Sequence, residues 1–353
     1  MTMPDATAPT LDAFAHVERG DDAPAWVRDG VAAAWGLGQD ARVTLIVLSE
    51  NVTFRVAVAG VPVMVVRLGR PGYAASTDHI RSELVWVDAL KTDAGISTPA
   101  PVRGIDDDFV QFVVDEGGAA WSAVAFGFVS GTMLEDQPDA ELPQHFVEIG
   151  RVTALLHEHA RAWGAPDGFV RFAWQIPDCV GAGARWGDWR AAALSPLERR
   201  TLEGAEARAI ATLDELGVAP GGADFGLIHG DLRPSNVMIT GDEVDPLVVI
   251  DFDDCGYGYY LYDFAAAITF YEHRPAASVM AGNWLAGYER VRPLGERELR
   301  AANALSMIRR LTMLGWATTH REDALPPDLW NENLPGTVEV GARFLADPEW
   351  LTR

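Results

Sequence analysis

In the segment His229-Gly-Asp-Leu-Arg-Pro-Ser-Asn236 an aspartate and an asparagine share one short loop held by Pro234, and a second aspartate, Asp251, follows directly after Leu247-Val-Val-Ile250. A strand-like run, Phe225 to Ile228, leads into the loop, and Val237-Met-Ile-Thr240 leads out of it. The turn signal at Gly241-Asp242 pairs that outgoing run with 247–250 as a hairpin. Asn236 opens one arm and Asp251 closes the other, so the turn returns them to each other's side. An amide oxygen beside a carboxylate is a hard-oxygen pair suited to Mg²⁺ that also binds phosphate. Asp231, on the same loop, is then placed to accept a proton from an incoming hydroxyl. Taken singly, Asp231 reads as a turn former, Asn236 as a cap and His229 as a core histidine. Their order, spacing and flanking strands give the set its meaning.

The segment 229–236, followed by Val249-Ile-Asp-Phe-Asp-Asp254, resembles the catalytic loop and metal-binding aspartate of the aminoglycoside phosphotransferase superfamily. That group takes in choline and ethanolamine kinases, homoserine-kinase-like enzymes and a stress-response protein-kinase branch. The resemblance implies ATP as phosphoryl donor, Asp231 as catalytic base, and Asn236 and Asp251 as Mg²⁺ ligands. It implies a structural role for His229, and for Asp263, in Tyr262-Asp-Phe-Ala, a role in bracing the loop. Gly230 stands where protein kinases carry arginine, which favours a small-molecule acceptor.

A kinase of this kind needs a cation on its third strand, paired with a carboxylate on the following helix, to hold the ATP phosphates. Lys91, the only lysine, comes too late and falls at a helix end. Arg67 closes Val63-Met-Val-Val-Arg-Leu68 at the matching position. Glu83 shares helical spacing with Ile80, Leu84 and Val87, so it is a charge on an apolar face, costly to bury unless paired. Arg67 is its expected partner, although a surface ion pair would have the same spacing. Ser49-Glu-Asn-Val-Thr53 replaces a glycine-rich phosphate loop, with Asn51 and Thr53 as candidate nucleotide contacts or ordinary turn residues. Phe128, within Phe126-Gly-Phe-Val-Ser-Gly131, falls where a hinge backbone would meet adenine.

The resemblance implies an α+β, protein-kinase-like two-lobed fold. Residues 1–40 read as an N-terminal helical extension, with a helix from Ala25 to Trp35 ended by Gly36 and Gly38. Residues 41–129 read as an N-lobe, an antiparallel sheet of five strands carrying one helix, Asp78 to Leu90. Residues 130–353 form a mainly helical C-lobe, with an amphipathic helix over 145–163 and another over 196–216. Trp174, Trp186, Trp189, Trp284 and Trp316 either wall an acceptor pocket suited to a cation or pack helices together.

The 353-residue chain has a formal charge of −23, which opposes nucleic acid and anionic membranes and suits a cationic acceptor, or simply keeps the chain dispersed. Residues 1–14 lack a secretory-signal pattern, and two cysteines fit a reducing cytoplasm. The function expected is Mg²⁺-dependent transfer of the ATP γ-phosphoryl group to a hydroxyl of a small polar metabolite or antibiotic. A stress-response Ser/Thr protein kinase and a nucleotide-binding pseudokinase remain alternatives. Oligomeric state does not follow from the sequence.

Overall fold

A computed structural model describes residues 11–49, 51–69, 74–242, 246–319 and 327–353. Residues 1–10, which hold most of the N-terminal stretch judged not to be a signal, and Glu50 of the candidate phosphate loop lie outside the described residues. The chain divides into two compact units. The first takes in residues up to 92, 98–130 and 166–170; the second holds 93–97, 131–165 and 171–353.

The first unit begins with helix α1 (Ala25–Trp35), stopped by Gly36 in the left-handed conformation at φ 63°. Strands β1 (Ala41–Leu48), β2 (Val52–Val58) and β3 (Val61–Leu68) follow as an antiparallel meander. Helix α2 (Thr77–Ala94) comes next, then β4 (Pro101–Val102), β5 (Gln111–Val114) and β6 (Ala120–Gly127). The sheet runs β1-β2-β3-β6-β4, with β5 also on β6. It has six strands rather than the expected five. The addition is β4, two residues that occupy the stretch of the β6 edge next to the one β5 takes. The strand expected from Asp107 begins only at Gln111, because Asp107 adopts φ 65° in a turn closed by its N–H on Gly104 O.

Alternation along the strands sends Val52, Phe54, Val56, Met64, Val66 and Leu68 to one face. There they form one core with Phe14, Val27, Val31 and Trp121, so the N-terminal segment is built into the sheet's packing. The opposite face, carrying Val124, packs on Ile80 and Leu84 of α2.

The second unit holds β7 (Thr132–Met133), α3 (Leu142–Ala162), β8 (Ala173–Trp174), α4 (Ile176–Val180) and α5 (Pro196–Glu215). A Ser195/Glu198 capping box starts α5. Strands β9 (Phe225–Ile228), β10 (Val237–Ile239), β11 (Leu247–Val249) and β12 (Gly256–Tyr259) come next. Helices α6 (Tyr262–Ala267), α7 (Ala277–Tyr288), α8 (Glu296–Thr319) and α9 (Pro327–Ala346) complete the unit. Two three-stranded sheets, β11-β10-β7 and β8-β12-β9, sit among these helices. Among the described residues no helix is long and apolar enough to cross a membrane.

Helices α3 and α7 meet backbone to backbone at two glycines. A Cβ on Gly150 would lie 1.9 Å from Trp284 O, and one on Gly287 would lie 1.8 Å from Val147 O. Gly282, on the same α7, has nothing within 4 Å. Gly150→Ala should therefore destabilise by about 1–3 kcal/mol or more in chemical denaturation. Gly282→Ala should be neutral or stabilising by up to about 1 kcal/mol. Equal effects of the two substitutions would rule out the close helix approach.

Candidate active site

The loop that follows β9 holds the candidate residues Asp231 and Asn236. Its backbone is fixed by Asp263 at the start of α6, a carboxylate with no solvent exposure. Asp263 Oδ2 accepts the His229 N–H at 3.0 Å, and Oδ1 accepts the Gly230 N–H at 2.8 Å. Behind it, His157 of α3 places Nε2 3.1 Å from Asp263 and Nδ1 2.9 Å from the Tyr288 hydroxyl. Burial pushes the His157 pKa down against the opposing pull of Asp263. The neutral imidazole therefore donates from Nε2 to Asp263 and accepts at Nδ1 from Tyr288.

His229 plays no part at the loop's surface. Its Nε2 bonds Ile250 O at 3.0 Å, and its Nδ1 accepts the Asp231 N–H at 3.3 Å. The imidazole links the loop to the end of β11. Gly230 adopts φ +83°, and a Cβ there would lie 2.7 Å from Asp254 O and 2.8 Å from Trp174 Nε1. The position lacks room for any side chain, an arginine included.

Asp231, Asn236 and Asp251 are drawn together by the hairpin. Val237 pairs with Val249, and the Ile250 N–H donates to Asn236 O at 3.0 Å, which sets Asn236 beside the residue before Asp251. Asn236 Nδ2 donates to Asp231 Oδ2 at 2.9 Å and to Asp231 O at 2.8 Å. The amide's donors are thereby committed to the loop, and its Oδ1 is left as the acceptor. Asp251 has an exposed side chain and a left-handed backbone, φ 64°. Among the described residues no group of three or more His, Cys, Asp or Glu could hold a metal ion. A single carboxylate with one amide oxygen suits Mg²⁺, which keeps several waters and takes further oxygens from phosphate.

Two arginines hold the Asp231 carboxylate. Arg233 Nε donates to Oδ1 at 3.0 Å and to Oδ2 at 3.2 Å, and Arg309 Nη2 donates to Oδ1. Burial works to raise the Asp231 pKa, but Arg233 and Arg309 outweigh it and hold the group ionised below the usual carboxylate range. Arg309 was not among the expected site residues. It comes from α8, far along the chain, and its signal was an arginine pair interrupting the apolar run from Leu305 to Leu314.

The tryptophans divide. Trp189 and Trp284 are buried packing residues; Trp189 donates to Glu206, and Trp284 stacks on Tyr288 with centroids 4.7 Å apart. Trp174 touches the loop, its Nε1 donating to Asp254 O at 2.9 Å and its ring stacking on Trp186 at 5.7 Å. Arg171 donates to the carbonyls of Asp253 and Cys255, so the segment after Asp251 is held from outside by Arg171 and Trp174. Cys179 and Cys255 are both buried, and burial pushes the Cys179 thiol up to about 12, which removes it as a nucleophile.

In the first unit Arg67 and Glu83 form a buried ion pair, 8% and 1% exposed. Arg67 Nη2 lies 2.8 Å from both Glu83 oxygens. Thr53 faces Arg67 directly across β2–β3, and Asn51, buried, precedes β2. The Phe128 N–H donates to Val63 O at 3.1 Å, just past the end of β6, and its side chain is partly exposed.

The His157 arrangement carries a pH signature. Its folded pKa lies below the roughly 6.5 of the unfolded chain. Stability should be full above about pH 6.5 and decline as the pH falls towards the folded value, because the unfolded state takes up a proton that the buried ring excludes. Melting temperatures between pH 7 and 5 should fall less steeply for His157→Gln than for the wild type; parallel curves would place the acid sensitivity elsewhere.

A model of the phosphotransferase enzyme family matches residues 45–299. The homoserine kinase of Rhizobium johnstonii is 31% identical over 221 residues, covering 60% of each protein, and that of Rhizobium etli is 30% identical over a similar stretch. The chain thus spans about 60% of the length of these curated relatives. A microcompartment-associated aminopropanol kinase is similar in structure and sequence, at 32% identity and TM-score 0.80, over 92% of this chain and 98% of that one. An amicoumacin kinase solved with AMP-PNP and Ca²⁺ shares the fold, at 19% identity and TM-score 0.68 over 90% and 92% of the two chains. With the antiparallel sheet of the first unit and the helical second unit, this is the protein-kinase-like fold, and the chain belongs to the phosphotransferase enzyme family.

Proposed function

We propose that the protein transfers the γ-phosphoryl group of ATP to the hydroxyl of a short amino alcohol or hydroxy amino acid. The observation that carries this reading is the Asp231–Asn236–Asp251 constellation, an ionised carboxylate bonded to an amide whose oxygen stands on the same hairpin as a second carboxylate. The likeness to an aminopropanol kinase along nearly its whole length, and to homoserine kinases over part of theirs, supports the acceptor class. So does the charge of −23, which favours an acceptor bearing an ammonium group.

In this reading Asp231 Oδ2 receives the proton of the acceptor hydroxyl. Of the roughly four lone-pair positions on a carboxylate, Arg309 and Asn236 take one each, and the single Arg233 Nε–H is split over the other two, so its longer contact, 3.2 Å to Oδ2, is the one an acceptor hydroxyl would replace. The acceptor oxygen forms its bond to the γ-phosphorus as the bridging P–O bond breaks, and ADP leaves with the electron pair. Asn236 and Asp251 are the residues that would hold Mg²⁺. When bound, the ion neutralises charge on the β- and γ-phosphate oxygens. In the first unit Arg67, fixed by Glu83, would bind donor phosphates as a permanent cation. Asn51 and Thr53 would add polar contacts, and the backbone at Phe128 would meet the adenine.

The test is ATP-dependent phosphorylation of a panel holding amino alcohols, hydroxy amino acids, aminoglycosides and a generic protein. Turnover should appear with a small acceptor and not with protein. Asp231→Asn should lower kcat by about 10²–10⁴-fold, and Asp251→Ala should abolish the Mg²⁺ dependence along with most activity. Phosphate on protein alone would sink the small-acceptor reading, and near-full activity of Asp231→Asn would remove that carboxylate from the chemistry.

A further inference from the structure

Arg309 lies in the middle of α8, with a side chain only 2% exposed. A guanidinium does not shed its proton inside a protein, so the position carries a full buried charge. Its one carboxylate bond among the described contacts is from Nη2 to Asp231 Oδ1. The other contacts are looser: Nη1 stands 3.5 Å from the Tyr262 hydroxyl and Nε 3.4 Å from Thr269 Oγ1. Trp174 and Tyr262 wall the group with ring centroids 5.8 and 5.6 Å away. The neighbouring Arg310 points to a different partner, Glu272 at 2.7 Å, as a helical turn of about 100° per residue requires.

Asp231 has two other side-chain partners, Arg233 and Asn236, and both belong to its own loop. Neither ties the carboxylate itself to another element, although the loop's backbone is held by Asp263. Arg309 is the partner that comes from a different element, a long helix buried for most of its length. It also lies beyond residue 299, where the match to the family model ends.

We propose that Arg309 is a positioning residue for phosphoryl transfer, holding the Asp231 carboxylate from α8 in the orientation that receives the acceptor's proton. The inference rests on the reading of Asp231 given above. It predicts that loss of Arg309 slows the chemical step while leaving binding of both substrates intact, since neither substrate is its partner.

The experiment compares wild type, Arg309→Met, Arg309→Lys, Asp231→Asn and the double variant Asp231→Asn/Arg309→Met. Rates are measured at saturating ATP and acceptor, with both KM values and the melting temperature. Arg309→Met should lose about a hundredfold in kcat, the scale set by small misplacements of a reacting group, with each KM within about twofold of wild type. Arg309→Lys should regain about tenfold, because an ammonium keeps the charge but not the fork. In the Asp231→Asn background, Arg309→Met should cost little more, as residues acting through one another do not add. If Arg309→Met does not fold, Arg309→Lys and the double variant, in which no buried charge is left unpaired, carry the comparison. Unchanged kcat in Arg309→Met, losses that add to those of Asp231→Asn, or rises in both KM values with equal losses for Met and Lys would each overturn the proposal. A wild-type enzyme that phosphorylates nothing in the panel would overturn the proposed function and this inference together.

Discussion

A carboxylate cut off from water must find donors or give up its charge, and Asp263 finds three. Two are consecutive backbone N–H groups, those of His229 and Gly230; the third is His157 Nε2. Charge-assisted bonds of this kind are among the strongest a protein makes. Satisfying this one group fixes the start of the loop after β9, the start of α6 and the inner face of α3 relative to one another. Tyr288 completes the chain of donors and adds α7. The glycine contacts between α3 and α7 serve the same end, since a wider spacing would draw His157 and Tyr288 apart.

From that anchor the residues of the candidate site are set by short-range geometry. Gly230 turns the chain where a side chain would strike Asp254 O, so Asp231 leaves the anchor in a fixed direction. The hairpin returns Asp251 to Asn236, and His229 bridges to Ile250 from beneath. Two arginines then outweigh the upward push of burial on the Asp231 carboxyl. In the first unit the same logic operates with opposite signs: Glu83, set on an apolar helix face, is tolerable only because Arg67 meets it across the gap between sheet and helix.

What the sequence disclosed and what it withheld divide along the distance over which the information is carried. Asp231, Asn236 and Asp251 were legible because a loop and a hairpin, both local, bring them together. Arg67 and Glu83 were legible because a charge on an apolar stripe demands a partner, and one stood on the preceding strand. Arg309 obeys the same rule, yet its partner lies on a loop five elements back along the chain, with β10, β11, β12, α6 and α7 between, so the stripe reveals a buried cation without naming its counter-ion. Strands β4 and β8, two residues each, are too short to carry any periodicity; they exist because a neighbouring edge offers hydrogen bonds. The expected strand from Asp107 failed at a left-handed residue, which apolar patterning cannot register. Trp174 is as buried as Trp189 and Trp284, so neither composition nor burial separates the tryptophans; their contacts do.

Asp251 stands in the left-handed region, a conformation that costs an L-residue about 1–2 kcal/mol. Pairing of β11 with β10 on one side, and the clasp of Arg171 and Trp174 on the following carbonyls on the other, hold it there. Glycine alone would be free of that cost, so Asp251→Gly would change backbone and side chain together, whereas Asp251→Asn would report on the charge of the carboxylate alone.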